Sequence, residues 1–181
     1  TMIKGALVTV FVLAALGIGY VYSGFYPMGA DTRHNQVTYK LLETLREKSI
    51  ARSASDIVVP DLTSADLLLV GGPDYNDMCT TCHLKPGMTE SDMSIGLYPA
   101  PPNLTSSNKY DDSLDSETAA KRNFWIIKHG IKASGMPAWG LTHDDERIWA
   151  MVAFLKSLPT LSEDQYQILT TRSQNDRIKH H

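Results

Sequence analysis

Cys79-Thr80-Thr81-Cys82-His83 carries the only two cysteines of a 181-residue chain, two residues between them and a histidine directly after. This C-x-x-C-H spacing is the attachment signature of a c-type haem. Two thiols on one turn of backbone can each form a thioether to a porphyrin vinyl group. The next residue can then bring its imidazole under the iron. Other readings of the pair need partners that the sequence does not offer. A thioredoxin-like redox pair sits in a βαβ pattern, and the flanks here are not strand-like. A zinc site needs four ligands, and no second cysteine pair or spaced histidines is present. With both sulfurs committed, no thiol remains for a disulfide.

A single histidine leaves one axial position of an iron vacant. Met88, Met93, Met136, His129 and His143 are the candidates to fill it. Met136 is set apart by its surroundings, Ser134-Gly135-Met136-Pro137-Ala138-Trp139-Gly140, a non-helical stretch between two expected helices. Gly135 lets backbone approach a flat cofactor closely. Pro137 fixes the chain and removes a donor. A thioether on iron favours the reduced state. The competing reading of Met136 is packing, the ordinary role of a loop methionine. His129 beside Lys128 and His143 beside Asp144 read as exposed polar residues, or as the distal base of a haem enzyme.

The flanking pattern is helical. Val37, Leu41, Leu42 and Leu45 recur at helical spacing within residues 36–54, with Lys40, Glu43, Arg46 and Glu47 on the other face. That helix either caps the domain or docks on another subunit. Ile57-Val58-Val59-Pro60 is expected to be extended. A helix starting near Ser64 or Asp66 leads into the cysteines, and a loop rich in Pro, Gly, Ser and Asn runs from Leu84 to Ser113. So long a loop hints at organisation around a cofactor. Helices are expected over 117–129 and 144–158, the last with Ile148, Met151, Val152 and Leu155 on one face and Pro159 as its stop. Residues 160–181 read as a polar surface tail, and His180 and His181 are given no ligand role. Neither repeats nor alternating strands occur, so the fold class is all-α.

Residues 5–22 are uncharged and almost wholly apolar, about 27 Å of helix at ~1.5 Å per residue, close to a bilayer's hydrocarbon core. Tyr20, Tyr22, Phe25 and Tyr26 cluster where the chain would leave the lipid. The run exceeds a signal peptide's core and no clear small-x-small site follows, so a retained anchor is expected. Lys4 keeps the N-terminus cytoplasmic. The expected location is a bacterial inner (cytoplasmic) membrane, single-pass, with the haem domain on the periplasmic side. A net charge of −3 and scattered Lys and Arg give no case for nucleic acid.

Taken together, the residues from about Asp66 to Leu158 resemble the class I cytochrome c family. Gly71 and Tyr75 stand before the cysteines like the family's glycine and aromatic on its N-terminal helix. Met151-Val152-Ala153-Phe154-Leu155-Lys156 is similar to its closing helix, with Phe154 at the aromatic position. Pro102-Asn103-Leu104 resembles the proline turn whose carbonyl accepts from the proximal imidazole, a part that Pro101 could also play. Gly135-Met136-Pro137 is similar to the distal-ligand loop. The resemblance implies one covalent haem c on Cys79 and Cys82, axial ligands His83 and Met136, and Pro102, Trp139 and Tyr98 near the cofactor. It implies an electron carrier rather than an enzyme.

The expected organisation is an anchor (1–30), an amphipathic helix and connector (31–65), a haem domain (66–160) and a polar tail (161–181). The expected function is a membrane-anchored monohaem cytochrome c passing single electrons between respiratory redox partners, either a tethered shuttle or a cytochrome subunit of a larger complex such as a terminal oxidase. The alternative is a haem-based gas sensor or peroxidase-like enzyme with a labile sixth ligand. Lys85, Lys128 and Lys132 are expected as a modest basic rim near the haem edge.

Overall fold

The computed structural model describes residues 2–106 and 113–172, and His180 and His181 lie outside them. The chain divides into two compact units, Thr1–Arg33 and His34 onward. The first contains α1 (Met2–Ser23), with no buried residue. Its 22 residues span about 33 Å. It is long and apolar enough to cross a bilayer, a property shared by anchors and signal sequences.

The second unit holds α2 (Gln36–Ala54), α3 (Ala65–Met78), α4 (Thr80–His83), α5 (Asp92–Gly96), α6 (Ser116–His129), α7 (Asp145–Ser157) and α8 (Glu163–Thr170). No strand occurs among the described residues. The long helices start where a side-chain oxygen can accept from an otherwise unpaired N–H: Asn35 for α2, Ser64 for α3, Asp115 for α6, Asp144 for α7. Such a cap stabilises a helix by about 1 kcal/mol.

Helices α3 and α7 cross at the centre. A Cβ on Gly71 would land on the Ala150 carbonyl, with Met151 N only 2.8 Å away. Only glycine allows the two backbones so close. The closing helix's aromatic meets the next residue: a Cβ on Gly72 would stand 3.0 Å from the Phe154 ring and 2.5 Å from the Leu169 carbonyl. The Gly71-Gly72 pair inside α3 therefore defies helix propensity because packing demands it. Two apolar clusters flank the crossing. Tyr75, Phe154, Leu158 and Tyr166 form one, their rings 5.5–6.4 Å apart. Phe124, Ile127, Ile148, Met151 and Val152 lie in the other, with Phe124 stacked on Trp149 at 4.1 Å. Leu155 touches both.

Three boundaries differ from the sequence reading. The segment expected as a surface tail contains α8, which starts at a Ser162–Gln165 capping box and buries Tyr166 against α3. Its lone buried aromatic among polar residues left no stripe to read. Beyond it, Arg172 reaches back 2.7 Å to Asp74, a carboxylate 1% exposed that Arg147 of α7 also holds at 2.7 Å. The connector is part of the core as well, since Ile57, Val59 and Leu62 pack on the second cluster. Finally, the 84–113 loop contains α5, whose Ser91 hydroxyl donates to the Thr81 carbonyl.

Helix α2 caps the domain through its C-terminal half. Ile50 and Ala54 are buried, and Glu47 pairs with Arg122 of α6 at 3.1 Å. Val37, Leu41, Leu42 and Leu45 stay 79, 68, 47 and 64% exposed.

Candidate haem site

Cys79 ends α3 and starts α4. Its carbonyl accepts from both Cys82 N (3.1 Å) and His83 N (2.8 Å). One tight turn thus presents both thiols, unpaired and half-buried, with the imidazole beside them. Burial first, then the negative charge of Asp74, pushes the Cys79 thiol up to about 12.

The turn is then braced. His83 Nδ1 lies 2.8 Å from the Pro102 carbonyl. A carbonyl only accepts, so Nδ1 carries the proton and Nε2 keeps its lone pair. Burial lowers the imidazole's affinity for a proton and outweighs the opposing Pro102 bond, which keeps the ring neutral and ligand-competent. The next residue, Leu84, turns the chain out of the helix at φ +67°. Its carbonyl accepts from the Tyr75 hydroxyl at 2.7 Å, and Leu104 N donates to the His83 carbonyl at 3.2 Å. Tyr75 is 1% exposed, and burial drives its phenol far above the ordinary tyrosine range, so it remains a donor.

Met136 sits in a loop closed on itself. Ile131 N donates to its carbonyl (3.2 Å), and the Ser134 hydroxyl accepts from its N–H (3.1 Å). Gly130, at φ +65°, leaves no room for a side chain, since a Cβ would lie 2.6 Å from the Met136 carbonyl. The Met136 side chain is half-buried and packs on the second cluster together with Met78, Trp139 and Leu155. Leu97 leans on the loop, its Cδ2 2.9 Å from where a Gly135 Cβ would stand.

The structure brings Cys79, Cys82, His83 and Pro102 together, and Met136 and Trp139 into one cluster. Tyr98 is engaged elsewhere: its hydroxyl accepts from His34 N at 3.2 Å, and the two rings meet edge to face at 5.2 Å. Among the rival ligands, Met93 is 44% exposed on α5, His129 packs on Trp125 at 5.0 Å, and His143 lies against Thr142 and Trp139. Lys128 is a poor member of a basic rim, because Asp145 neutralises it at 2.6 Å. Sequence reasoning missed Leu84, Leu97 and Gly72. The first two act by position, and only Gly72, next to Gly71 and ahead of Pro73, left a trace.

No group of three or more His, Cys, Asp or Glu converges among the described residues. The donor set fits a c-type haem: two free thiols, and one neutral imidazole with its outer nitrogen already bonded.

Fold and site define residues 69–155 as a class I cytochrome c domain. The family model that matches this stretch is described as cytochrome C oxidase, cbb3-type, subunit III. The match covers just under half of the chain and leaves out α2 and α8. No curated protein and no solved structure matches.

Proposed function

We propose that the chain is a membrane-anchored monohaem cytochrome c that carries single electrons between respiratory redox partners, with α1 as anchor and the haem domain on the periplasmic side. One haem c joined to Cys79 and Cys82 supplies the one-electron chemistry. The protein's residues do the rest. His83, its orientation fixed and its basicity raised by the Pro102 bond, would hold the iron through Nε2. Met136 would supply the second ligand, and its thioether would raise the potential. The apolar clusters exclude water, so little reorganises when the charge changes.

The observation that carries the reading is the His83–Pro102 bond at the C-x-x-C-H turn. It is the arrangement a permanent axial imidazole needs. The family description points to respiratory partners and agrees with a terminal oxidase as electron acceptor.

The test is CO uptake and midpoint potential of the reduced holoprotein. The full chain should take up no CO at low concentration. Met136→Ala should open the site to CO and lower the potential by a sizeable part of the roughly 0.8 V that axial ligands span. CO binding by the unaltered protein would favour a sensor or peroxidase-like enzyme. The size of the haem species extracted from native membranes in mild detergent separates a lone tethered shuttle from a subunit of a complex.

A further inference from the structure

Residues 57–62 join α2 to α3 as an extended strap and lie outside the stretch 69–155 that the family model matches. Their side chains alternate. Ile57 and Val59 are half-buried on the second cluster, and Leu62 joins them there, whereas Val58 is 84% exposed. Successive residues of an extended chain point to opposite sides, and Pro60 keeps Val59 extended. Both ends of the strap are fixed. Ile57 N donates to the Ala54 carbonyl at the end of α2 (3.2 Å). The Asp61 carboxylate accepts from Thr63 N (2.9 Å) and from the Thr63 hydroxyl (2.7 Å), one residue before the Ser64 cap of α3.

The strap borders a cavity of about 930 Å³, whose other walls include Ala120 and Asn123 of α6, Val152 and Leu155 of α7, and Leu104. Ligand pockets run from roughly 300 to 1,000 Å³. Leu104 and Leu155 tie this cavity to the haem site. Leu104 N donates to the His83 carbonyl, two residues after the Pro102 carbonyl that orients the imidazole. Leu104, Leu155 and Cys79 pack on one cluster, and Leu155 also packs on the other, where Met136 and Trp139 lie. The cavity wall therefore includes a residue bonded to the His83 turn and a residue shared with the cluster that carries Met136.

We infer that the strap 57–62 is a wall of the haem cavity, its inward residues Ile57, Val59 and Leu62 lying against the porphyrin and keeping water from it. This rests on reading Cys79 to His83 as a haem attachment site. The three are positioning residues: they touch the cofactor without ligating it, and they act through the dielectric around the iron. An apolar wall disfavours the extra positive charge of the oxidised state and so raises the potential. The haem-binding unit of this chain then begins with the strap, ahead of the family-matched stretch, and α2 is the clamp that holds the strap's first residue.

The experiment uses the full holoprotein, reduced, with its Ile, Leu and Val methyls labelled, and records nuclear Overhauser effects between those methyls and the porphyrin protons. Covalent haem is assayed first as the pyridine haemochrome. Its absence would sink the haem reading and take the inference with it. With haem attached, methyls of at least one of Ile57, Val59 and Leu62 should contact the porphyrin, and those of Val58 should not. A strap that merely packs on α6 and α7 would make no such contact. The midpoint potential supplies the second readout. Val59→Asp should lower it, because a carboxylate on the cavity wall favours the oxidised iron, and Val58→Asp should lower it much less. Should Val59→Asp fail to fold, Val59→Thr keeps the shape, and its hydroxyl should lower the potential in the same direction. With haem attached, the absence of any contact from strap methyls to the porphyrin overturns the inference and leaves the haem reading standing. Equal shifts in Val58→Asp and Val59→Asp overturn it as well.

Discussion

The turn around His83 and the loop around Met136 are built in different ways. The His83 side is local and rigid. Cys79 to Leu84 form one turn of backbone bonds, braced by the Tyr75 hydroxyl, the Pro102 carbonyl and Leu104 N. The Met136 side is a loop that closes on its own backbone and leans on Leu97. The first hangs directly from α3 and so from the α3–α7 crossing. The second hangs from the end of α6, where a Cβ on Gly140 would press on the Lys128 backbone. The difference teaches that one side is held by backbone bonds directly below the α3–α7 crossing. The other is held by a loop that meets the core through half-buried side chains such as Met136 and Trp139, which makes the Met136 side the easier one to loosen.

The strongest way to break this contrast is Gly71→Val. Its side chain would meet backbone, which cannot rotate away, so α3 must leave α7. We expect a loss of about 3 kcal/mol or more, seen as a lower denaturation midpoint and poor haem retention. Leu97→Ala should come next. The side chain is half-buried, so the loss is about 1–2 kcal/mol, below the range for fully buried leucines. Its signature is faster entry of an added ligand such as CO or imidazole, with His83 retained.

Tyr75→Phe removes the hydroxyl from the Leu84 carbonyl and leaves that buried acceptor unpaired, for about 1 kcal/mol. It should lower stability without speeding ligand entry, the converse of Leu97→Ala. Equal ligand-entry rates in the two variants would erase the contrast between the sides.

The smallest effect concerns acid. Burial raises the Glu47 carboxyl, but Arg122 and Arg46 outweigh it and hold it below the usual carboxylate range. A depressed folded pKa contributes stability that is present above the unfolded value, about 4.3, and is lost as pH falls through the folded one. Hydrogen exchange should therefore show α2 loosening from α6 as pH falls below the ordinary carboxylate range, with the His83 turn unaffected. Glu47→Gln should flatten that pH dependence.

Much of this was legible in the sequence for a physical reason. The His83 side is encoded within a few residues, so C-x-x-C-H could be read by spacing and Tyr75 and Pro102 by resemblance. Ser64 and Asp144 stand at the helix starts that were expected; the cap of α2, by contrast, is Asn35 rather than Asp31 or Thr32. What stayed hidden depends on tertiary approach. The role of Gly72 emerges only once Phe154 and Leu169 are in place, and α8 is recognisable only because Tyr166 finds α3. The outward turn of α2 was hidden for a related cause. Its leucines satisfy helical periodicity equally well whether they face a core or not.

The central claim is axial ligation by His83 and Met136. The most direct measurement is NMR of the reduced holoprotein with its seven methionine methyls labelled. A methyl held on iron over the porphyrin face lies deep in the ring current. The account predicts one methyl shifted far upfield and absent in Met136→Ala. No shifted methyl, or one that survives in Met136→Ala and vanishes in Met88→Ala or Met93→Ala, would contradict it.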